Sequence, residues 1–129
     1  MGSELQYTDE ELKKFYSRRD RYVHNKSSKF VVENTSRRPL KVYLTQEALQ
    51  DETDYYEHFK NNGSNLHGTF LERLGLYYYL LSDSSFKCEF IDAQNILQDF
   101  TSPRWPFVII FEVTGDTVII YTIHLHKSQ

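Results

Sequence analysis

Trp105-Pro106-Phe107-Val108-Ile109-Ile110-Phe111-Glu112-Val113-Thr114-Gly115-Asp116-Thr117-Val118-Ile119-Ile120-Tyr121-Thr122-Ile123-His124-Leu125 is the stretch on which the fold turns. Phe107–Val113 and Thr117–Leu125 are rich in β-branched and aromatic residues, and Gly-Asp between them favours a two-residue type II′ hairpin turn. That turn pairs residues whose numbers sum to 231: Val113 with Val118, Phe111 with Ile120, Phe107 with His124. Both faces of the hairpin are apolar, Phe107, Ile109 and Phe111 on one and Val108, Ile110, Ile119 and Ile123 on the other. A strand pair apolar on both sides belongs in the middle of a sheet, covered above and below.

Upstream, Phe86, Cys88 and Phe90 alternate with Lys87 and Glu89, and Asn95–Phe100 precedes Thr101-Ser102-Pro103; two short strands are expected here. Before them, Leu66, Phe70, Leu74, Tyr77 and Leu81 recur at steps of four, four, three and four, predicting a helix from about Asn65. A preceding helix, with Thr45 as N-cap, carries Ala48, Leu49, Tyr55, Tyr56 and Phe59 on one broad face and stops at Asn61-Asn62-Gly63. The short loop makes the two an antiparallel hairpin. Leu40–Leu44 alternates as a strand.

The first 39 residues read as a separate arm, with residues 40–129 forming the domain proper. Thr8 and Glu11 make a capping box and Tyr7 with Leu12 a hydrophobic staple, so a helix runs over about 9–23. Leu12, Phe15, Tyr16 and Tyr22 lie on its apolar stripe and should dock on the body. Lys29–Glu33 is a possible short strand, and Asn34–Pro39 is a linker.

The 129 residues carry a net charge of −3 with 16% aromatic content, which excludes a disordered tail. The charge is unevenly placed. Ten basic and six acidic residues fall in 1–41, a surplus of +4, leaving five basic and twelve acidic over 42–129, or −7. Opposite fields of this kind attract in cis and also steer outside partners. The single cysteine, Cys88, makes no internal disulfide, and a reducing compartment, the cytosol, is expected. No apolar run approaches the roughly 20 residues of a membrane span. Met1-Gly2-Ser3 reads as an expression scar.

GxGxxG, GxxxxGK[ST], HExxH, GxSxG and CxxC are all absent, so nucleotide hydrolysis, zinc-finger binding and serine hydrolysis lack local support. No cofactor and no metal site is expected. His124 and His126 leave one strand face together, and the 231 register places Trp105 opposite His126 and Arg104 opposite Lys127. Arg104, His124, His126 and Lys127 then gather at one end of the sheet, a set able to hold a phosphate and move protons. The plainer reading is a strand end where polar residues meet solvent. Tyr77-Tyr78-Tyr79 could stack bases but, pointing three ways from a helix, reads better as packing.

The order of elements, the Trp105-Pro106-Phe107 strand start, the Gly-Asp turn and the histidine-containing end together resemble the RelE/ParE superfamily of toxin–antitoxin toxins over residues 40–129. The resemblance implies an α+β domain, a helix hairpin packed on a curved antiparallel sheet, in a cytosolic bacterial protein neutralised by an antitoxin. Its members are either ribosome-dependent mRNA endonucleases, metal-independent, or gyrase inhibitors without catalysis. By position, the residues that would match the nuclease site are Arg104, Tyr121, His124, His126 and Lys127. The departure is in Phe90–Phe100, which carries Asp92 and Asp99 and no basic residue where such toxins usually have Arg or Lys. An acidic body repels the ribosome and mRNA. The arm, with its helix, loop and short strand, resembles the segment by which an antitoxin wraps its toxin. Binding of a protein partner, with the arm packed on its own body, is therefore the expected activity, and enzymatic action the less favoured one; the alternatives are the mRNA endonuclease and a degenerate interaction module.

Overall fold

The computed structural model describes residues 7–25, 29–32, 40–62, 65–103 and 105–125, with the backbone alone for 29–32. In chain order the elements are α1 (Asp9–His24), β1 (Lys29–Val32), β2 (Lys41–Thr45), α2 (Gln46–Asn61), α3 (Leu66–Leu81), β3 (Glu89–Phe90), β4 (Gln98–Thr101), β5 (Phe107–Thr114) and β6 (Thr117–Leu125). Six strands form one sheet in the order β1-β2-β6-β5-β4-β3. The α+β class and the helix hairpin on a sheet are as expected, with one departure: β2 runs parallel to β6, so the sheet is mixed and not wholly antiparallel. The remaining four junctions are antiparallel.

The sheet is the middle of three layers. On one side α2 and α3 bury Phe70, Leu74, Tyr77 and Leu81 against Phe107, Ile109, Val118 and Ile120. On the other, α1 buries Phe15 and Tyr22 against Leu97, Val108, Ile110, Ile119 and Tyr121, with Leu12 and Tyr16 at the margin. The two apolar faces of the β5–β6 hairpin are thus each covered by helix. α1 begins with the Thr8–Glu11 capping box, Glu11 N–H donating to Thr8 Oγ1 at 3.0 Å and Thr8 N–H to Glu11 Oε1 at 2.9 Å. Thr45 caps α2, accepting from Ala48 N–H at 3.1 Å.

One local expectation changes. The strand before β4 shrinks to Glu89–Phe90, and Asn95 takes φ 58° in a turn, so β4 starts only at Gln98. α2 ends at Asn61 with Asn62 as its cap, and the expected stop at Gly63 lies outside the described residues. The Gly115 turn holds: Gly115 has φ 62° and Asp116 does not share a positive φ, the pattern of a II′ turn.

The hairpin register is the consequential correction. Val113 pairs with Val118 and Phe111 with Ile120, as the turn dictates, but Ile110 pairs with Thr122 and Phe107 with Leu125, not with His124. Tyr121 is one extra residue on β6, a β-bulge. The bulge turns the rest of the strand over: Ile123 and Leu125 pack with the α2/α3 side, while Thr122 and His124 face α1. Among the described residues no helix is long and apolar enough to cross a membrane.

Candidate functional site beneath the first helix

Of the five positions matched to a nuclease site, Arg104, His126 and Lys127 lie outside the described residues, and with them the Trp105/His126 and Arg104/Lys127 neighbours. Tyr121 and His124 are described, and both lie under or against α1. An unbulged β6 would put His124 on the face of α2 and α3; the extra residue brings it to the face of Tyr121.

Each is held by a carboxylate. Tyr121 is 1% exposed, and its hydroxyl donates to Glu112 Oε1 at 2.8 Å; the same oxygen accepts from Arg19 Nε at 2.8 Å, and Arg19 Nη2 reaches Glu112 Oε2 at 3.3 Å. Burial, and then the hydrogen bond to Glu112, push the Tyr121 phenol far above its ordinary range, so it stays protonated through neutral pH. The bonded carboxylate in turn raises the Arg19 guanidinium above its ordinary value. The Tyr22 ring meets the Tyr121 ring edge-on at 5.8 Å. His124 Nε2 lies 3.1 Å from Glu11 Oε2 on the first turn of α1, with its ring edge-on to Phe15 at 5.3 Å and to Tyr7 at 6.3 Å.

The bulge also decides where α1 is bolted down. β2 accompanies β6 only as far as Ile120, because after Thr45 the chain turns into α2. The outer edge of β6 beyond that point is completed by side chains. Asp51 Oδ2 accepts from Ile123 N–H at 3.0 Å, and the Tyr55 hydroxyl accepts from Leu125 N–H at 2.9 Å. Arg18 Nη1 donates to Asp51 Oδ2 at 2.6 Å and reaches the Tyr121 carbonyl at 3.2 Å and Thr122 Oγ1 at 3.3 Å; its Nη2 donates to Asp51 Oδ1 at 3.2 Å. One arginine from the arm thus ties α2 to the bulge. Arg21 pairs with Glu47 at 2.7 Å.

At the far end of α1, the Tyr7 hydroxyl donates to Asp99 Oδ2 at 2.6 Å and the Tyr16 hydroxyl to Asp92 Oδ1 at 2.8 Å. Burial, and then the hydrogen bond to the aspartate and its charge, drive both phenols upward from their ordinary range. Asp92 and Asp99, which mark the departure from the toxin pattern, are therefore receptors for tyrosines of the arm. The charge surplus of the two halves left attraction in cis and outside partners equally open, and neutral tyrosines do not enter it. Tyr77 and Tyr78 are buried and Tyr79 is exposed, as packing predicts, and the Tyr78 hydroxyl donates to Glu52 at 2.9 Å.

Chemically, this face can bind an amphipathic, arginine-bearing helix, and in its covered form its polar groups are engaged: Tyr121 donates to Glu112, Glu112 is occupied twice by Arg19, and His124 abuts Glu11. Among the described residues no group of three or more His, Cys, Asp or Glu is placed to hold a metal ion.

No family model matches the sequence, and no curated protein matches it. Among solved structures, the chain is similar to one described as "Chromosomal ParDE TA system from P. aeruginosa", with a TM-score of 0.56 and 18% identity, covering 70% of this chain and 99% of that one. At that identity the likeness is one of architecture: the chain has a fold of the RelE/ParE type.

Proposed function

We propose that this chain is a RelE/ParE-type toxin domain of a toxin–antitoxin module, that it acts by binding a protein partner through the sheet face beneath α1, and that its own arm closes that face. The observation that carries the reading is the double lock of α1 on Tyr121 and His124 through Glu112 and Glu11. A second one supports it. The similar ParDE chain is matched almost whole yet leaves 30% of this chain unmatched, which is about 39 of 129 residues and equals the arm in length. The arm also supplies a strand, β1, antiparallel to β2 at the sheet edge. A helix on the face and a strand on the edge are what an antitoxin segment would provide, so a separate antitoxin would have to displace the arm or work with it. The setting is the cytosol, where gyrase or the ribosome is the target that the resemblance to the toxin superfamily implies.

Endonuclease action is the less favoured reading. Of the matched positions, Tyr121 and His124 could act on RNA only with α1 displaced, and the carboxylates beneath it would still repel phosphate. The test is growth of a bacterial host on induction of the wild-type chain and of Phe15→Ala/Arg18→Ala. The variant should arrest growth at lower induction than the wild type. Equal growth, with amide exchange showing α1 loosened in the variant, refutes self-closure; cleavage of mRNA on translating ribosomes that is lost in Tyr121→Phe/His124→Ala restores the nuclease.

A further inference from the structure

The face that α1 covers has a composition of its own. Its floor is apolar, Leu97, Val108, Ile110 and Ile119 around Tyr121. Its rim is acidic: Glu47, Asp51, Asp92, Asp99 and Glu112 each receive a hydrogen bond from a side chain of the arm. These five come from three separate parts of the body: α2, the stretch leading through β4, and β5. Three of them meet arginines and two meet tyrosine hydroxyls. Emptied, such a face is an apolar strip inside a ring of negative charge. A nucleic acid would be repelled from it, and an acidic antitoxin segment likewise.

From this complementarity we infer that the sheet face is a receptor for a basic amphipathic helix of another protein, for which α1 is the internal stand-in. The inference rests on the reading of the face as a partner site and adds the chemistry of the partner. The ligand needs an aromatic pair two turns apart, as Phe15 and Tyr22 are, and arginines in the turns between them, as Arg18, Arg19 and Arg21 are. α1 competes at the effective concentration of a tethered segment, about millimolar for a short flexible linker. If α1 as a free peptide has an intrinsic Kd of about 10 μM, any partner at this face is weakened about a hundredfold by the arm, and becomes visible once the arm is loosened.

The probe is a fluorescent peptide of residues 7–25, titrated by anisotropy into the full chain. Phe15→Ala/Tyr22→Ala should bind it at least tenfold more tightly than the wild type, with affinity falling as salt rises. A peptide with Arg18, Arg19 and Arg21 all changed to Glu should not bind. If that chain variant does not fold, Leu12→Ala/Tyr16→Ala keeps both deep anchors and should still bind the peptide at least threefold more tightly than the wild type. No gain in binding by a folded variant, equal binding of the charge-reversed peptide, or preference for a 20-nucleotide RNA overturns the inference. Since the readout is binding to purified chain, its failure would leave a growth difference between wild type and loosened arm standing. Conversely, equal growth with the peptide bound would leave the receptor standing.

Discussion

Replacing Arg18 by Met keeps most of the side-chain volume and removes the charge. Arg18 and Asp51 side chains are each 14% exposed, so both charges are largely withdrawn from water. Asp51 would be left with the Ile123 amide as its donor, and the Tyr121 carbonyl and Thr122 hydroxyl would lose Arg18. Removing one partner of a buried pair costs about 3–5 kcal/mol, and residual solvent access together with Glu47, 3.9 Å from Arg18 Nε, places this case at the low end, about 3 kcal/mol. That is more than a hundredfold in the folding equilibrium. With an unfolding entropy of about 2.1 cal/mol/K per residue, it lowers Tm by about 11 °C. The assay is urea unfolding of wild type, Arg18→Met, Asp51→Asn and the double variant. Because the two side chains share one bond network, the double variant should be less destabilised than the sum of the singles by at least about 1 kcal/mol. Additive losses within about 0.5 kcal/mol would show that Arg18 and Asp51 act independently, and the account of α1 being bolted at the bulge would fail.

Two further outcomes are expected. Phe15 is fully buried, and Phe15→Ala should lower stability by about 3–5 kcal/mol in urea melts while amide exchange over 9–24 accelerates; an unchanged midpoint would mean that α1 is not held by this anchor. Burial, with Asp99 adding to it, pushes the Cys88 thiol up to about 11 from 9.0, so the folded state favours the neutral thiol: the associated stability is present below about pH 9 and is lost as pH rises through 11, and alkylation by iodoacetamide should rise with a midpoint near 11 in the folded chain, a midpoint near 9 contradicting it.

The hairpin, the helix pair and the capped arm helix were readable because each rests on a local pattern: a glycine-led turn, apolar steps of three and four, a Thr-x-x-Glu box. The bulge was not read, although its trace is in the chain. Val118 and Ile120 are followed by Ile123 and Leu125, an apolar alternation that changes phase at Tyr121 and Thr122, and a register counted from the turn alone passes over it. The parallel β2–β6 pairing follows from how α2 and α3 return the chain, which no local pattern encodes. For the site, the positions matched by resemblance include Tyr121 and His124, but Glu112, alone in an apolar strand, and Glu11, on a distant helix, which hold them, carry no spacing signal that ties them to the site.

Of the described elements, α1 is made first and is the last able to dock. Its bonds to Asp92, Asp99, Glu112 and His124 span 76 to 113 residues of chain. At about 5–20 residues per second, roughly 5–20 s pass during translation between the completion of α1 and that of β6. Throughout that interval Phe15 and Tyr22 have no sheet to rest on, and the closure they make afterwards is a contact of high sequence separation, slow to form. The receptor face is therefore assembled before its own helix has returned to it, and a partner already present at synthesis meets that face without the competition α1 gives in the finished fold.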